Sequence, residues 1–313
     1  MQLGAFIMTF NRPLVLRRTL ELLQAQSRRP DHVLVIDNGS SSATQDVVSA
    51  FPASWISYCG MTENVGPAGA AAFALERLTT EARGYEWIYW GDDDDPPQSP
   101  DTIQRLMSIA ETSSEDTAGV AAVGALWDWQ RGEARRLPDH ALTGLIDVDV
   151  VGGNQQLILR SDVIRTVGLP DRRLFFGLEE IEYCLRIRRA GYRILVDGDM
   201  MRECRARSGR LDWRPPRSKR PAQPQHTLWR RYYSTRNYIF SMRMFERPDL
   251  ARHEALKSLA RAVLSWGRGP RFGAVFTVLQ LRAIVDGYRG CMGQTVVPTP
   301  KYPAQNPQTD TGL

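Results

Sequence analysis

Four consecutive aspartates, Asp92–Asp95, are the residues whose type and spacing most directly suggest chemistry. They follow the apolar segment WIYWG, where adjacent like charges would repel one another unless a cation offset them. Hard divalent cations bind carboxylate oxygens and also bridge phosphates. Because residues i and i+2 can converge on one ion, Asp92 and Asp94 suit a metal site. A solvated acidic turn ended by Pro96-Pro97 is the alternative, but the position at the end of an apolar segment favours the metal.

Two turn motifs could help to bind a ligand. Asp37-Asn38-Gly39-Ser40 follows HVLVI and predicts a turn, in which Asp37 could accept a hydrogen bond from a nucleobase N–H. In Asn64–Gly69, NVGPAG, the glycines let the backbone approach a ligand, and the next helix could direct its N-terminus at a diphosphate. The Gly-Lys-Ser/Thr ending of a Walker A loop is absent. Each motif taken alone is more typical of an ordinary turn.

A second acidic group lies in the segment FFGLEEIE, Phe175–Glu182, which reads as the start of a helix. Acidic residues favour helix N-termini because of the helix dipole, so their presence alone does not require a function. The alternative is that one of them is a general base, kept ionised by nearby positive potential. The spacing of Glu182 and Arg186 predicts an ion pair across one helical turn, which would occupy Glu182.

Alternating strand and helix patterns position these motifs. Apolar segments predict strands at residues 4–10, 32–36, 55–59 and 87–90, with helical patterns between them. Such alternation predicts an α/β fold with a mostly parallel central sheet flanked by helices. In these sheets ligands bind beyond the carboxyl ends of the strands, which is where the polar turns after Phe10, Ile36 and Trp90 fall.

The rest of the chain is less regular. Further strands are predicted at residues 120–126, 148–151, 155–159 and 192–196, and helices at 179–190, 228–245, 250–266 and 272–288. We therefore divide the chain into an α/β domain over residues 1–200, a basic proline-rich loop over 201–227, a helical region over 228–295 and a loose tail over 296–313.

Composition excludes several classes of protein. With 42% hydrophobic and 24% charged residues in 313, the chain has enough apolar material for a core and is not disordered as a whole. The N-terminus has no basic segment typical of a signal peptide, and no apolar run is long enough to span a membrane. The four cysteines are scattered without a CxxC pair, so we expect buried thiols in a reducing compartment.

Positive charge is concentrated between Arg202 and Arg243, where twelve Lys and Arg residues face two acids. Arginines there suit an anionic diphosphate or lipid surface, although a solvated basic loop is equally compatible. A nucleic-acid-binding module is a competing interpretation, with RRYYSTRNY as its footprint, but it leaves Asp92–Asp95 unexplained. A nucleotidyltransferase is a third, yet TFNRP offers Arg12 without the glycine-rich loop that such an enzyme needs.

The order of the motifs resembles a known family. FIMTFNRP, VIDNGSS, ENVGPAGA, WIYWGDDDDPP, VGGNQQLILR and FFGLEEIEYCLRIRRAGYRI look, in this order, like the family-two glycosyltransferases of GT-A, Rossmann-like fold. The resemblance covers about residues 4–196, with a weaker similarity in RRYYSTRNYIF. Within the family the chain looks most like bacterial galactofuranosyl- and rhamnosyltransferases of cell-wall and O-antigen assembly.

The resemblance implies an inverting transfer of a sugar, galactofuranose or rhamnose, from a nucleoside-diphosphate donor to a glycan or a polyprenyl-diphosphate-linked acceptor. It implies Mn²⁺ or Mg²⁺ as cofactor, no nucleic-acid partner, and a peripheral location at the cytoplasmic face of an anionic membrane. The oligomeric state stays open.

Site residues also carry over from the resemblance. Asp92 and Asp94 would bind the metal, and Glu180 would be the base. The remaining positions would bind substrate. Thr9, Asn11 and Arg12 would line the nucleotide pocket, Asp37 would bind the nucleobase, Asn64 and Asp93 would lie near the sugar, and Glu179 would lie beside the catalytic base Glu180.

Two departures from the family are visible. The family usually places an aspartate base in an Asp-Asp or Glu-Asp pair, whereas this chain has Glu179-Glu180. Related galactofuranosyltransferases add a histidine downstream, where this chain has Arg202-Glu203-Cys204. The third metal ligand is therefore open between Glu203, His226 and water.

Overall fold

The computed structural model describes residues 1–152, 156–212 and 224–297. The chain divides into two compact units, Met1–Pro215 and Pro216–Leu313, which we describe separately. Residues 213–223 of the predicted basic loop and 298–313 of the predicted tail lie outside the described residues.

An eight-stranded sheet forms the centre of the first unit, in the order β3-β2-β1-β4-β9-β5-β10-β8. Its strands are β1 Leu3–Thr9, β2 His32–Asp37, β3 Ile56–Gly60, β4 Trp87–Asp92, β5 Thr117–Ala121, β8 Leu145–Val148, β9 Leu157–Arg160 and β10 Arg193–Asp197, and β6 Leu126–Asp128 pairs with β7 Glu133–Arg135 outside it. Neighbouring strands are parallel, with two exceptions: β9 is antiparallel to both β4 and β5, and β8 is antiparallel to β10. The predicted mostly parallel sheet is thus confirmed.

Seven α-helices lie in the described part of the first unit: α1 Pro13–Gln24, α2 Ser42–Ser49, α3 Gly66–Thr80, α4 Thr102–Thr112, α5 Ser161–Val167, α6 Glu179–Arg189 and α7 Gly198–Arg207. All seven residues of β1 are buried, as expected for a parallel strand covered on both faces. Helix α1 packs Leu16, Leu20 and Leu23 into the core next to it. The helices predicted from apolar spacing in the first half are therefore present.

Helix α7 corrects the prediction of a loop that begins at residue 201. The Asp197 carboxylate accepts hydrogen bonds from the backbone N–H groups of Asp199 and Met200, each at 3.0 Å, and so caps the helix. Met200, Met201 and Cys204 are buried along one side of α7. The high density of charge in this segment hid the amphipathic pattern. Helices α4 and α5 were likewise not predicted.

Strand register brings the predicted motifs to one edge of the sheet. Thr9 at the end of β1 pairs with Asp37 at the end of β2. On the other side of β1, Met8 pairs with Asp92 at the end of β4. Because these strands are parallel, their carboxyl ends meet, and the three following turns share one rim of the sheet.

Three helices form the described part of the second unit: α8 Leu228–Met244, α9 Pro248–Ser265 and α10 Pro270–Arg289. Tyr232, Tyr233 and Arg236 of RRYYSTRNY are fully buried, and Arg236 Nη1 donates to the Gly293 carbonyl at 2.7 Å. One side of this segment therefore lies in the core of the unit, and the rings of Tyr232 and Tyr233 are not available to stack on bases. No helix among the described residues is long and apolar enough to cross a membrane.

The cysteines partly correct the expectation of buried thiols. Cys184 and Cys204 are buried, but Cys59 is only half-buried and Cys291 is exposed. All four are free.

Candidate functional site

Three of the four aspartates after β4 form a compact acidic cluster. Carboxylate oxygens of Asp92, Asp93 and Asp94 lie within 4.8 Å of one another, and no other group of three or more His, Cys, Asp or Glu in the described chain is arranged in this way. Arg12 lies against all three: Nη1 is 2.5 Å from Asp94 Oδ2 and Nη2 is 3.8 Å from Asp92 Oδ1. Its Nε donates to Asp93 Oδ2 at 3.1 Å.

Asp93 is the buried member of this acidic cluster. Its side chain is 0% exposed, whereas the side chains of Asp92 and Asp94 are 36% and 44% exposed. Thr9 Oγ1 donates to Asp93 Oδ2 at 2.6 Å, and Thr19 Oγ1 donates to the Asp93 carbonyl at 2.5 Å. Burial raises the pKa of Asp93 to about 7, although Thr9 and Arg12 oppose the shift. Asp93 therefore anchors the turn, and the two outer carboxylates are accessible, in the i and i+2 relationship predicted for a metal.

Asp95 accepts hydrogen bonds from Gln156, a residue that we did not predict to belong to the site. Gln156 Nε2 lies 3.1 Å from each carboxylate oxygen of Asp95. Burial raises the pKa of Asp95 to about 7, and the charges of Asp92, Asp94 and Glu180 raise it further. Gln156 precedes β9 with a positive φ of 44° and is buried. Only the pairing of β9 beside β4 brings it here, so no local sequence signal could have identified it.

Asp37 shapes the turn after β2. Its Oδ1 accepts from Gly39 N at 2.8 Å, and its Oδ2 accepts from Ser41 N at 2.9 Å and from the Tyr58 hydroxyl at 3.1 Å. Burial, and then the Asp37 charge, raise the pKa of Tyr58 to about 12. Reading of a nucleobase by Asp37 stays a prediction, because these bonds alone account for a turn.

Asn11 packs against that same turn. A Cβ at Gly39 would overlap Asn11 Oδ1, so the glycine lets the Asn11 side chain lie directly against the turn after β2. Thr9, Asn11, Arg12 and Asp37 are thus brought together at one rim, as the nucleotide-pocket prediction requires.

The NVGPAG segment holds the loop that precedes α6. Asn64 Oδ1 accepts from Gly66 N at 2.9 Å, and Ala68 N donates to the Phe175 carbonyl at 3.3 Å. Gly66 has a φ of 69°, and a Cβ there would overlap the Phe175 carbonyl oxygen. The Phe175 carbonyl thus contacts the N-terminus of α3, where we expected a diphosphate to bind. Contact of Asn64 with a nucleotide sugar stays a prediction.

Glu179 and Glu180 open α6 after this loop, in which Phe175 and Leu178 have φ values of 61° and 78°. Glu179 is 6% exposed, and its Oε2 has no hydrogen-bond partner in the described part of the chain. Burial raises the pKa of Glu179 to about 8, and the charges of Glu180 and Asp92 add to the shift. Both glutamates therefore belong electrostatically to the acidic cluster. Further along α6, Arg186 Nε donates to Glu182 Oε1 at 2.7 Å, which confirms the predicted ion pair.

The raised pKa of Glu179 predicts a pH dependence of stability. The folded protein keeps this proton up to a pH of about 8, whereas an ordinary glutamate loses it near 4.5. The free energy of unfolding should therefore fall as pH rises through this window, because the ionised form is disfavoured in the folded state. The melting temperature of the wild type should fall between about pH 6 and pH 8.5. In Glu179→Gln the fall over the same pH range should be smaller by a few degrees.

Glu63→Gln, at an exposed position, is the matched control and should leave that slope unchanged. The pKa values of Asp93 and Asp95 are also raised, so these residues also make the melting temperature fall with pH. A smaller dependence of the melting temperature on pH should therefore persist in Glu179→Gln. An identical slope in wild type and Glu179→Gln would contradict the assignment.

Glu203, one of the proposed third metal ligands, is not part of the acidic cluster. It lies on α7, where its Oε2 accepts from Arg105 Nη1 at 2.9 Å. It is absent from the only metal-compatible group of the described residues. His226 lies in the second unit, so we describe no relation between it and the cluster. His226 and water stay predictions for the third ligand.

A family model matches part of the first unit. Residues 5–157, slightly less than half of the chain, match the family model described as glycosyl transferase family 2. The matched range includes most of β1, all of β2 to β4, the acidic cluster and Asp37 and so contains one rim of the site, whereas Glu179 and Glu180 follow it. This similarity favours neither the nucleic-acid-binding nor the nucleotidyltransferase interpretation.

Two mycobacterial proteins are similar to this chain. It is 29% identical over 201 residues to galactofuranosyltransferase GlfT1 of Mycolicibacterium smegmatis, across 60% of this chain and 65% of that protein. It is 30% identical over 203 residues to the GlfT1 of Mycobacterium tuberculosis, across 60% and 64%. The alignments thus span slightly less than two thirds of these relatives.

A solved structure supports the fold. The mannosyltransferase PcManGT from Pyrobaculum calidifontis, in complex with GDP-Man and Mn²⁺, superposes with a TM-score of 0.53 at 15% identity, over 92% of this chain and 87% of that one. The chain therefore has the GT-A fold that the motif order predicted.

Proposed function

We propose that this protein is an inverting, metal-dependent glycosyltransferase of cell-envelope polysaccharide synthesis. It transfers galactofuranose from a nucleoside-diphosphate donor to a glycan or a polyprenyl-diphosphate-linked acceptor. The observation that carries the proposal is the accessible pair Asp92 and Asp94 beside Glu179 and Glu180, in a chain that matches the family 2 model over residues 5–157. The similarity to galactofuranosyltransferases favours galactofuranose over rhamnose as the sugar.

The donor set of the acidic cluster fits a hard divalent cation. It offers carboxylate oxygens only, and burial together with the Asp94 charge raises the pKa of Asp92, although the Arg12 charge opposes the shift. A divalent cation would therefore add to the charge compensation that Arg12 supplies. Asp92 and Asp94 would hold Mn²⁺ or Mg²⁺, which would supply charge neutralisation for the departing nucleoside diphosphate. The complex of the mannosyltransferase neighbour with Mn²⁺ supports this assignment.

Glu180 acts as the general base in this proposal. Its carboxylate takes the proton of the acceptor hydroxyl while that oxygen bonds to the anomeric carbon and the bond from this carbon to the diphosphate oxygen breaks. One displacement gives one inversion. Glu179 is protonated at neutral pH because its pKa is about 8, so the glutamate pair carries less negative charge beside the donor diphosphate.

A thermal-shift panel of nucleotide sugars tests the function. A ligand that binds only the folded state raises the melting temperature. We expect UDP-galactofuranose with Mn²⁺ to raise it more than either component alone, because metal and diphosphate share the site. A panel of nucleotide sugars with no stabilisation, with or without Mn²⁺, would contradict the proposal, as would retention on DNA that salt abolishes.

A peripheral location at the inner face of the plasma membrane completes the proposal. The basic stretch between residues 202 and 243 supports it in part. Arg205 and Arg236 are buried, however, and Arg205 Nη1 lies 2.5 Å from Asp139 Oδ1. These two arginines stabilise their own units and do not face a partner, so a membrane surface needs additional residues.

A further inference from the structure

Helices α9 and α10 form a hairpin in the second unit with an unusual charge distribution. The sequence from residue 255 to residue 285 has no Asp or Glu and five Lys or Arg residues. The short turn Trp266–Arg268, followed by Gly269, joins the two helices. Trp266 packs over Gly273 and donates from Nε1 to Thr277 Oγ1 at 3.2 Å, which fixes the turn against α10. We call residues 255–285 the basic hairpin.

The basic hairpin leaves large apolar side chains in solvent. Val263 and Leu264 are 73% and 77% exposed, Val278 is 64% exposed and Trp266 is 51% exposed. The exposed positions follow helical spacing, with Leu256, Leu259 and Val263 on α9 and Val278, Leu281 and Val285 on α10. Other sides of these helices are buried, at Ala262 and Phe276 among others. Each helix therefore has a second, outward apolar stripe that the described part of the unit leaves exposed.

Positive charge flanks these stripes. Arg271 is exposed on the side of α10 that carries Val278. Arg282 is exposed there too, but its Nε lies 3.4 Å from Asp286 Oδ2 and its Nη2 donates to the Thr295 carbonyl at 2.8 Å. Arg268 at the turn lies over the Phe272 ring, 4.9 Å from its centroid. The nearest acids outside the basic hairpin are internally paired: Glu254 Oε1 with Arg261 at 2.7 Å, and Asp286 Oδ2 with the Tyr232 hydroxyl at 2.5 Å. The outward surface thus combines apolar side chains with arginines and no exposed carboxylate of its own.

We propose that the basic hairpin is the membrane-docking surface of this protein and binds the face of an anionic lipid bilayer. Val263, Leu264 and Val278 enter the boundary between headgroups and acyl chains, and Arg268 and Arg271 contact lipid phosphates. Trp266 lies at the turn, with the ring and N–H chemistry that suits a bilayer interface. A second copy of this chain is a poorer occupant, because a self-complementary contact would bring like charges together.

This inference rests on the proposed membrane location and not on the sugar transferred. It differs from the argument based on the basic stretch at residues 202–243. Residues 255–285 are a separate segment, and they would bind the membrane by inserting apolar side chains as well as by charge. The two arguments make different forecasts for the same binding assay.

Sedimentation with vesicles tests the inference on the full chain. We expect wild-type protein to bind vesicles of phosphatidylcholine with phosphatidylglycerol, to bind pure phosphatidylcholine weakly, and to lose binding as salt rises. The triple variant Val263→Ser, Leu264→Ser, Val278→Ser should bind anionic vesicles about tenfold or more weakly, because insertion scales with buried apolar area. Leu264→Ser alone should weaken binding, whereas Leu145→Ser, at an exposed leucine of the first unit, is the matched control and should not.

Three outcomes would overturn the inference. Equal vesicle binding by the triple variant and wild type would assign the membrane contact elsewhere, such as to the basic stretch. No binding of wild type to anionic vesicles would refute the membrane location itself. Self-association of wild type, measured by light scattering and abolished in the triple variant, would assign the surface to a second copy. Melting temperatures with UDP-galactofuranose and Mn²⁺ report the proposed enzymatic site separately in every variant.

Discussion

Replacing Glu180 with glutamine is expected to lower the rate of sugar transfer by about 10²–10⁴-fold, the usual loss when a general base is removed. Glutamine keeps the shape of the side chain but cannot accept the proton of the acceptor hydroxyl. Donor affinity should survive, because the proposed contacts to the nucleotide come from the rim formed by Thr9, Arg12 and Asp37. Transfer rates under saturating donor, together with donor dissociation constants, separate the two effects.

Glu179→Gln is the matched variant for this experiment. Glu179 is buried, and its raised pKa keeps it protonated at neutral pH, so glutamine resembles its working state. We expect Glu179→Gln to keep much of the activity. Transfer at the wild-type rate by Glu180→Gln, or complete inactivity of Glu179→Gln alone, would show that the base is not Glu180.

Asp94→Asn is expected to reduce turnover by at least about 10²-fold, since a bound divalent cation contributes several kcal/mol to stabilising transition-state charge. The substitution removes charge and not volume at a partly exposed side chain, so the melting temperature without ligand should change little. The stabilisation by Mn²⁺ with a nucleotide sugar should be lost. Calorimetric titration of Mn²⁺ in the presence of donor measures that loss directly.

Asp46→Asn, at an exposed aspartate of α2, controls for loss of surface charge and should behave as wild type. Full turnover by Asp94→Asn in the presence of a chelator would refute a metal at this cluster. Loss of folding in Asp94→Asn would argue instead for a purely structural role, and Asp92→Asn would then provide the functional test.

The rim of the site was predictable because parallel strands impose it. Once GAFIMTF, HVLVI and WIYW are identified as neighbouring strands, the turns that contain Arg12, Asp37 and Asp92 must meet at one edge. The pairing of Glu182 with Arg186 was equally predictable, because it depends only on helical spacing. These inferences needed local patterns and one rule of topology.

Other features depend on contacts between distant segments, and local patterns do not encode them. Gln156 reaches Asp95 only because β9 runs antiparallel next to β4. The difference between buried Asp93 and its accessible neighbours arises from Thr9 and Thr19, more than seventy residues earlier. Arginines of RRYYSTRNY look like a binding surface in sequence, yet Arg236 is buried by the residues around Gly293.

The contact between Gly66 and the Phe175 carbonyl has a consequence for how this chain can change during evolution. The atom that excludes a side chain at position 66 is a main-chain oxygen, and the positive φ of Gly66 adds a second restriction. A mutation of the Phe175 side chain therefore cannot compensate for the loss of Gly66. The backbone at Phe175 thus restricts which residue can stand at position 66, whereas the Phe175 side chain is not restricted in the same way. A substitution of Gly66 would require that both backbone segments change conformation together.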